Sequence, residues 1–238
     1  MIGQSGDVVN TNDAWRCAAA AELGAGSGSS QPRDYRDFIV TRFRLDHLPP
    51  LEKPALGMLS RRMKRVLLNE DEIVVAIRAR GVDARLLHLE DMPLYEQVAS
   101  MKRISILVGM HGSGLMNAMW MRPGAVSVQL LQCKLDEGPY RGSIDVLRGA
   151  ASQRGVGYFQ WKQTDASKCR QHWHFLGADY AGREAEVLRK GPGCCGSGAF
   201  FDFFVNQDVY IEPAKFMTEV LDRALAMVKP GVVAAVGE

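Results

Sequence analysis

Two short stretches of this chain carry residue types suited to holding an anion. Ser60-Arg61-Arg62-Met63-Lys64-Arg65 places four cations in six residues, and His111-Gly112-Ser113-Gly114 sets two glycines among polar side chains. Glycine lets the backbone come close to a ligand. Where such a turn opens a helix, its free N–H groups and the helix dipole favour phosphate. Together the two stretches describe a pocket for a diphosphate. The plain alternative is a solvated basic turn beside an ordinary tight turn, and spacing alone leaves both open. Arg36, in the N-terminal part of the chain, is expected to stand apart from this pocket.

Other motif chemistries fit less well. Gly112-Ser113-Gly114-Leu115-Met116-Asn117 lacks the third glycine of a dinucleotide fingerprint, which argues against an oxidoreductase. His111 occupies the place of the first glycine of a nucleophile elbow, so Ser113 is not set up as a nucleophile. No Gly-Lys-Ser/Thr ending marks a P-loop. Cys169, His172 and His174 with Cys194 or Cys195 match no standard zinc spacing, and loop packing or a disulfide explains them better. The chain has no Asp-x-Asp triplet. That points to a site that neutralises phosphate with Arg and a helix dipole instead of a metal.

The elements that must position these loops read as alternating strands and helices. Ala55–Ser60, Asp83–Leu89, Ile104–Met110 and Ala125–Leu131 are strand-length apolar runs. Between them, Asn69 reads as the N-cap of a helix with a capping-box Glu72 and a stop at Gly81. Pro93 opens a second helix to Lys102, and a third runs from the His111-Gly112-Ser113-Gly114 turn to about Met121. Such alternation implies parallel strands with right-handed crossovers, an α/β Rossmann-like sheet, whose ligands bind at the carboxyl ends of the strands. Both candidate loops follow strands, so both fall on that edge. Residues 132–156 read as a long loop with one helix, Gly157–Trp161 as a further strand, and Lys162–Ser197 as an irregular surface loop. Asp208–Ile211 reads as the last strand, and Pro213 starts a closing helix to Met227. The expected organisation is a disordered or linking segment at 1–34, a remnant of an N-terminal half or a connecting helix at 35–53, the nucleotide-sugar-binding Rossmann-like domain at 54–230 and a tail at 231–238.

At 238 residues and 47% hydrophobic, the chain can bury the core of one ordinary α/β domain. Its formal net charge of +2 makes no case for nucleic acid. The longest apolar runs are too short to span a bilayer, and no signal peptide is visible. Either the chain is cytosolic or its targeting segment lies outside this sequence. Five cysteines (Cys17, Cys133, Cys169, Cys194, Cys195) are too few for a disulfide-built scaffold, so a packed core must carry the fold.

Taken in order, Ser60-Arg61, Arg65, Leu68-Asn69-Glu70, Leu107-Val108-Gly109-Met110-His111-Gly112-Ser113-Gly114-Leu115 and Pro123-Gly124-Ala125 resemble glycosyltransferase family 61. Tyr158-Phe159-Gln160-Trp161, Cys194-Cys195 and Gln207-Asp208-Val209-Tyr210-Ile211 are similar to its protein O-mannose β-1,4-N-acetylglucosaminyltransferase branch. The resemblance covers residues 36–228. It implies the C-terminal, donor-binding half of a GT-B-type enzyme of the ER or Golgi lumen, inverting and metal-independent. Such an enzyme moves a sugar (GlcNAc or xylose) from a UDP-sugar to a glycan or glycoprotein acceptor, without a further cofactor. Membrane association would come only through a segment outside this chain. A non-catalytic nucleotide-sugar-binding module or a truncated inactive homologue is the alternative.

Carried over by motif, Arg61 and Arg65 would meet the diphosphate and His111, Gly112, Ser113, Gly114 and Leu115 would form the loop under it. Asn69 would cap its helix and orient the first loop, or bind the ligand. Trp161 would line the nucleotide or sugar pocket, or fill the core. Gln129 stands where the family usually has Glu. If that position binds ribose or sugar hydroxyls, it does so here without a charge. The resemblance names no general base.

Overall fold

The computed structural model describes residues 32–135, 147–149, 151–152, 154–176, 180, 182–191 and 198–233. Residues 1–31 of the expected linker, the last five residues of the tail, and Cys17, Cys194 and Cys195 lie outside the described residues.

Five strands form one sheet: β1 (Ala55–Leu59), β2 (Asp83–Leu87), β3 (Ile106–Met110), β4 (Val126–Leu131) and β5 (Gly157–Lys162). Their order is β2-β1-β3-β4-β5, and every neighbouring pair is parallel. Strands covered on both faces bury the side chain at every position. β1, β3 and β4 are accordingly buried along their whole length. The expected parallel α/β sheet is therefore what the chain forms.

Side-chain alternation divides the core in two. Leu56, Met58, Ile106, Val108, Val126, Val128, Phe159 and Trp161 face one layer of helices. That layer contains α2 (Glu70–Ala79), which buries Ile73, Val74 and Ile77, and the C-terminal rod. The rod is α6 (Pro213–Phe216), a π-helical turn at Met217–Leu221 and α7 (Asp222–Met227). Each large aliphatic side chain so buried contributes roughly 1.5–3 kcal/mol. The opposite face packs α1 (Pro32–Arg42), α3 (Leu94–Lys102) and the segment Ser113–Trp120 through Val40, Val98, Met101, Leu115 and Trp120.

Several boundaries and pairings differ from the sequence reading. Ser113–Trp120 is a 3-10 helix and not an α-helix, and α1 starts at Pro32 inside the expected linker. Asn69 does not cap α2 with its side chain. Its amide is spent on a distant segment, donating to Ile211 O at 2.9 Å and accepting from Ile211 N at 3.3 Å. At the other end of α2 the expected stop holds, because Gly81 takes φ 79° and its N–H returns to Arg78 O. Asp208–Ile211 does not extend the main sheet. Only β7 (Asp208–Val209) is a strand, and it pairs antiparallel with β6 (Cys169–Arg170) in a separate two-stranded ribbon. The expected irregular loop from Lys162 to Ser197 contains that strand and α4 (Glu184–Lys190), and α5 (Gly198–Val205) follows it.

Cys169 forms a disulfide with Cys133, 36 residues earlier, joining the end of β4 to the ribbon. That removes Cys169 from any zinc site. His172 is likewise engaged, with Nε2 3.0 Å from the buried Asp208 carboxylate. Among the described residues no group of His, Cys, Asp or Glu is arranged to hold a metal ion, and no helix is long and apolar enough to cross a membrane.

Candidate anion site at the carboxyl edge of the sheet

A strand order of 2-1-3-4-5 has one switch point, between β1 and β3, where successive connections leave in opposite directions. Open α/β sheets take ligands in the crevice outside the carboxyl ends of the strands at such a point. The loop after β1 is 60–65 and the loop after β3 is 111–114, so the two stretches singled out by composition are the two walls of this crevice.

The arginine loop is held from behind by the chain around β7. Asn206 Oδ1 accepts from Arg65 Nε at 3.0 Å, Asp208 Oδ1 accepts from Val66 N at 2.8 Å, and Val209 O accepts from Leu68 N at 2.8 Å. Asp208 is fully buried and also accepts from Arg170 Nη2 at 2.6 Å. Arg65 itself sits at φ 58°, a left-handed conformation unusual for a side chain of its size. Such backbone strain collects at functional sites.

The two loops meet at Gly112. A Cβ on Gly112 would lie 2.9 Å from Arg61 Nη1 and 3.1 Å from Arg65 Nη1, so only glycine lets both guanidinium groups rest against this backbone. Arg65 Nη1 also donates to His111 O at 3.2 Å, and Arg61 Nε to Lys64 O at 3.2 Å. Burial lowers the pKa of Arg61. Burial and then the Arg61 charge lower that of Arg65 to about 10. Among the described residues neither guanidinium has a carboxylate within ion-pair distance. Two partly desolvated cations pressed together without a counter-ion are stabilised by an anion placed between them. The other cations of the loop are occupied elsewhere: Arg62 pairs with Asp91, and Lys64 Nζ lies 5.2 Å from the centre of the Phe175 ring.

His111 is buried, its N–H donates to Leu130 O at 2.8 Å, and its Nδ1 lies 2.9 Å from Gln129 Nε2. Burial, then Arg65 and Arg61, lower its pKa to about 4, so the imidazole is neutral at physiological pH. Ser113 is exposed beside it, Gly114 is half-buried against Leu59, and Leu115 anchors the loop in the core.

Three residues named from the sequence lie away from the crevice wall. Gln129 is fully buried behind His111, where its two amide atoms meet His111 and the Tyr158 hydroxyl. Trp161 resolves to the core alternative: it packs on the face opposite Gln129, and its indole N–H donates to Glu219 at 2.7 Å. Asn69 ties the start of α2 to Ile211.

Residues not named beforehand support the site from outside it. Asn206 and Asp208 hold the arginine loop, and Ser60 Oγ donates to Glu70, joining the end of β1 to α2. Arg36 is also closer in effect than expected. It donates to Met119 O at 2.7 Å and Met121 O at 3.2 Å, gripping the far end of the segment that begins at Ser113. The polar run Asn206-Gln207-Asp208 inside an apolar stretch was the available signal for the first two.

The sequence profile of Glycosyltransferase 61 matches residues 20–128. An EGF domain-specific O-linked N-acetylglucosamine transferase of Drosophila melanogaster is 33% identical over 141 residues, 58% of this chain and 26% of that protein. A protein O-linked-mannose beta-1,4-N-acetylglucosaminyltransferase of Mus musculus is 25% identical over 214 residues, 84% of this chain and 36% of that protein. A beta-1,2-xylosyltransferase of Oryza sativa subsp. japonica is 29% identical over 113 residues, 44% of this chain and 24% of that protein. The chain thus spans about a quarter to a third of the length of the relatives it matches. Over residues 20–128 the chain is thus similar to glycosyltransferase 61 proteins, and the matched segment contains the arginine loop and the His-Gly-Ser-Gly loop.

Proposed function

We propose that this chain supplies the donor-binding part of a glycosyltransferase that moves a sugar from a UDP-sugar to a glycan or glycoprotein acceptor. One observation carries the reading: Arg61 and Arg65 converge on the glycine of the β3 loop, at the switch point of a parallel sheet. In this account the two guanidinium groups and the backbone of His111–Leu115 bind the diphosphate. Their fixed charge offsets the negative charge that builds on the leaving UDP as the sugar departs. Because two arginines supply the countercharge, donor binding requires no divalent metal.

GlcNAc and xylose are the sugars we favour, since the relatives are named for their transfer. Inverting chemistry, a GT-B arrangement with a second half, and the acceptor site belong to the same reading. The Cys133–Cys169 disulfide supports residence in an oxidising compartment such as the ER or Golgi lumen.

A thermal-shift screen with UDP, UDP-GlcNAc, UDP-xylose, GDP-mannose and NAD tests the donor class, since a ligand that binds the folded state raises its melting temperature. Stabilisation by UDP and at least one UDP-sugar, and not by NAD, is expected. A shift with NAD alone contradicts the reading.

A further inference from the structure

Three cations gather at the amino edge of the sheet, opposite the arginine crevice. Lys102 ends α3 on the way to β3, and Arg122 lies in the connection before β4. Arg36 reaches the same place from α1. Backbone carbonyls fix the two guanidinium groups. Arg122 donates from Nε to Lys102 O at 3.0 Å and from Nη2 to Pro49 O at 2.6 Å. Arg36 donates to Met119 O and Met121 O, and its Nη1 pairs with Asp37 at 2.8 Å.

Lys102 is held differently. It is only 7% exposed, yet among the described residues its ammonium has no hydrogen bond or ion pair, and Nζ is not sealed from solvent. A buried ammonium without a partner is costly. Burial first, and then the charges of Arg36 and Arg122, lower its pKa to about 8, against the opposing pull of Asp37 and Asp46. Both carboxylates have other partners: Asp37 holds Arg36, and Asp46 Oδ2 lies 3.2 Å from His47 Nε2. Burial also lowers the pKa of Arg122, which has no carboxylate within ion-pair distance among the described residues.

We propose that Lys102 and Arg122 form a second anion site, at the amino edge of the sheet, for a small tetrahedral oxyanion of the sulfate or phosphate type. The donors suit such a ligand. An ammonium offers three N–H groups, and Nη1 of Arg122 has no hydrogen bond among the described residues. Charge-assisted bonds from both would meet separate oxygens of one anion. Arg36 contributes charge without contact, since its guanidinium is spent on Met119, Met121 and Asp37. A bound oxyanion would join the end of α3 to the connection before β4, and so brace the segment that Arg36 ties to α1. The site stands at the edge opposite the crevice and does not depend on the reading of that crevice.

The test is NMR titration of the Lys102 side chain in the full chain, with its signals assigned through the backbone. Sulfate is the probe, because it carries a constant charge from pH 6 to 10. Millimolar sulfate is expected to raise the Lys102 pKa by about one unit, and chloride at matched ionic strength to leave it nearly unchanged. Sulfate affinity is then expected to fall about fivefold from pH 7 to 9, as Lys102 loses its proton.

Melting temperatures provide the second arm, measured in an Arg61→Ala background so that the crevice does not contribute. Lys102→Met removes a buried, unpaired charge, so without sulfate it is expected to melt no lower than its parent. It is also expected to lose the gain that sulfate gives the parent. Arg122→Gln, which keeps Lys102, is expected to weaken the sulfate-induced rise in the Lys102 pKa and covers the case in which Lys102→Met does not fold. A Lys102 pKa that sulfate leaves unchanged, an equal rise in chloride, or the same sulfate gain with and without Lys102 overturns the proposal.

Discussion

Replacing Arg61 by alanine removes one of the two guanidinium groups that meet at Gly112. Among the described residues its only hydrogen bond is to Lys64 O at 3.2 Å, and its charge lowers the pKa of Arg65. Stability without ligand should therefore change little, since a weak hydrogen bond is exchanged for relief of like-charge repulsion. Binding of UDP should change a great deal. A charge-assisted hydrogen bond from Arg to phosphate is worth roughly 1.5–3 kcal/mol, and at about 1.4 kcal/mol per decade the affinity falls about ten- to a hundredfold. Gly112→Ala attacks the same contact from the other side, because its Cβ would stand 2.9 Å from Arg61 Nη1 and 3.1 Å from Arg65 Nη1, so both guanidinium groups must shift from their present places against the loop. In the double variant half of that conflict is gone, so the two losses should fall short of additive by at least about 0.5 kcal/mol. Calorimetric titration at low ionic strength measures all four proteins. Arg80→Ala, which breaks an exposed ion pair with Asp222, is the control and should leave binding unchanged. Additive losses, or an Arg61→Ala variant that binds UDP like the unmodified chain, would refute the shared site.

Two further outcomes follow from the same structure. Removing the Cys133–Cys169 disulfide by Cys169→Ala should cost about 3–4 kcal/mol by the chain-entropy model for a loop of this size, measured by guanidinium unfolding under non-reducing conditions. His111 should make the fold acid-sensitive. Its folded pKa of about 4 lies below the ordinary histidine value, so below about pH 6.5 the unfolded chain takes up a proton that the folded chain refuses. Stability then falls as pH drops towards 4, by a total on the order of 3 kcal/mol, and His111→Gln should remove that increment from the unfolding-versus-pH curve.

The sheet was legible because its strands are buried on both faces. Leu56–Leu59 and Ile106–Met110 are continuous apolar runs, as strands covered on both faces by helices should be, and Val126–Leu131 follows them as a further strand-length segment in the strand-helix alternation. α2 was legible from Ile73, Val74 and Ile77 at helical spacing. The crevice was legible for a related reason: parallel strands put the ends of β1 and β3 on one edge, so both loops had to meet there.

What stayed hidden depends on distant partners. Capping logic put Asn69 at the N-cap position it occupies, but nothing near it reveals that its side-chain amide also bonds Ile211, 142 residues away. Ser113–Trp120 is apolar on nearly every side and reads as α-helix, yet it closes as a 3-10 helix between β3 and β4. Asp208–Ile211 has the composition of a strand, but its backbone is spent on Cys169–Arg170 and Leu67 instead of the main sheet. Gln129 invited a reading as a ligand contact because it neighbours the loop. Period-two alternation places it on the His111 side of β4, where it is buried with its amide nitrogen 2.9 Å from His111 Nδ1, a contact that no local signal announced. For Trp161 the same alternation points to the opposite face.

The central claim is that Arg61, Arg65 and the His111–Gly114 loop form a diphosphate site whose countercharge is supplied by the protein. Titrating UDP into the unmodified chain by calorimetry, once in EDTA and once with Mn²⁺, tests it most directly. The account predicts saturable binding at one site per chain, with the same affinity in both buffers. Heat of binding that appears only with Mn²⁺, or no binding in either buffer, would contradict it.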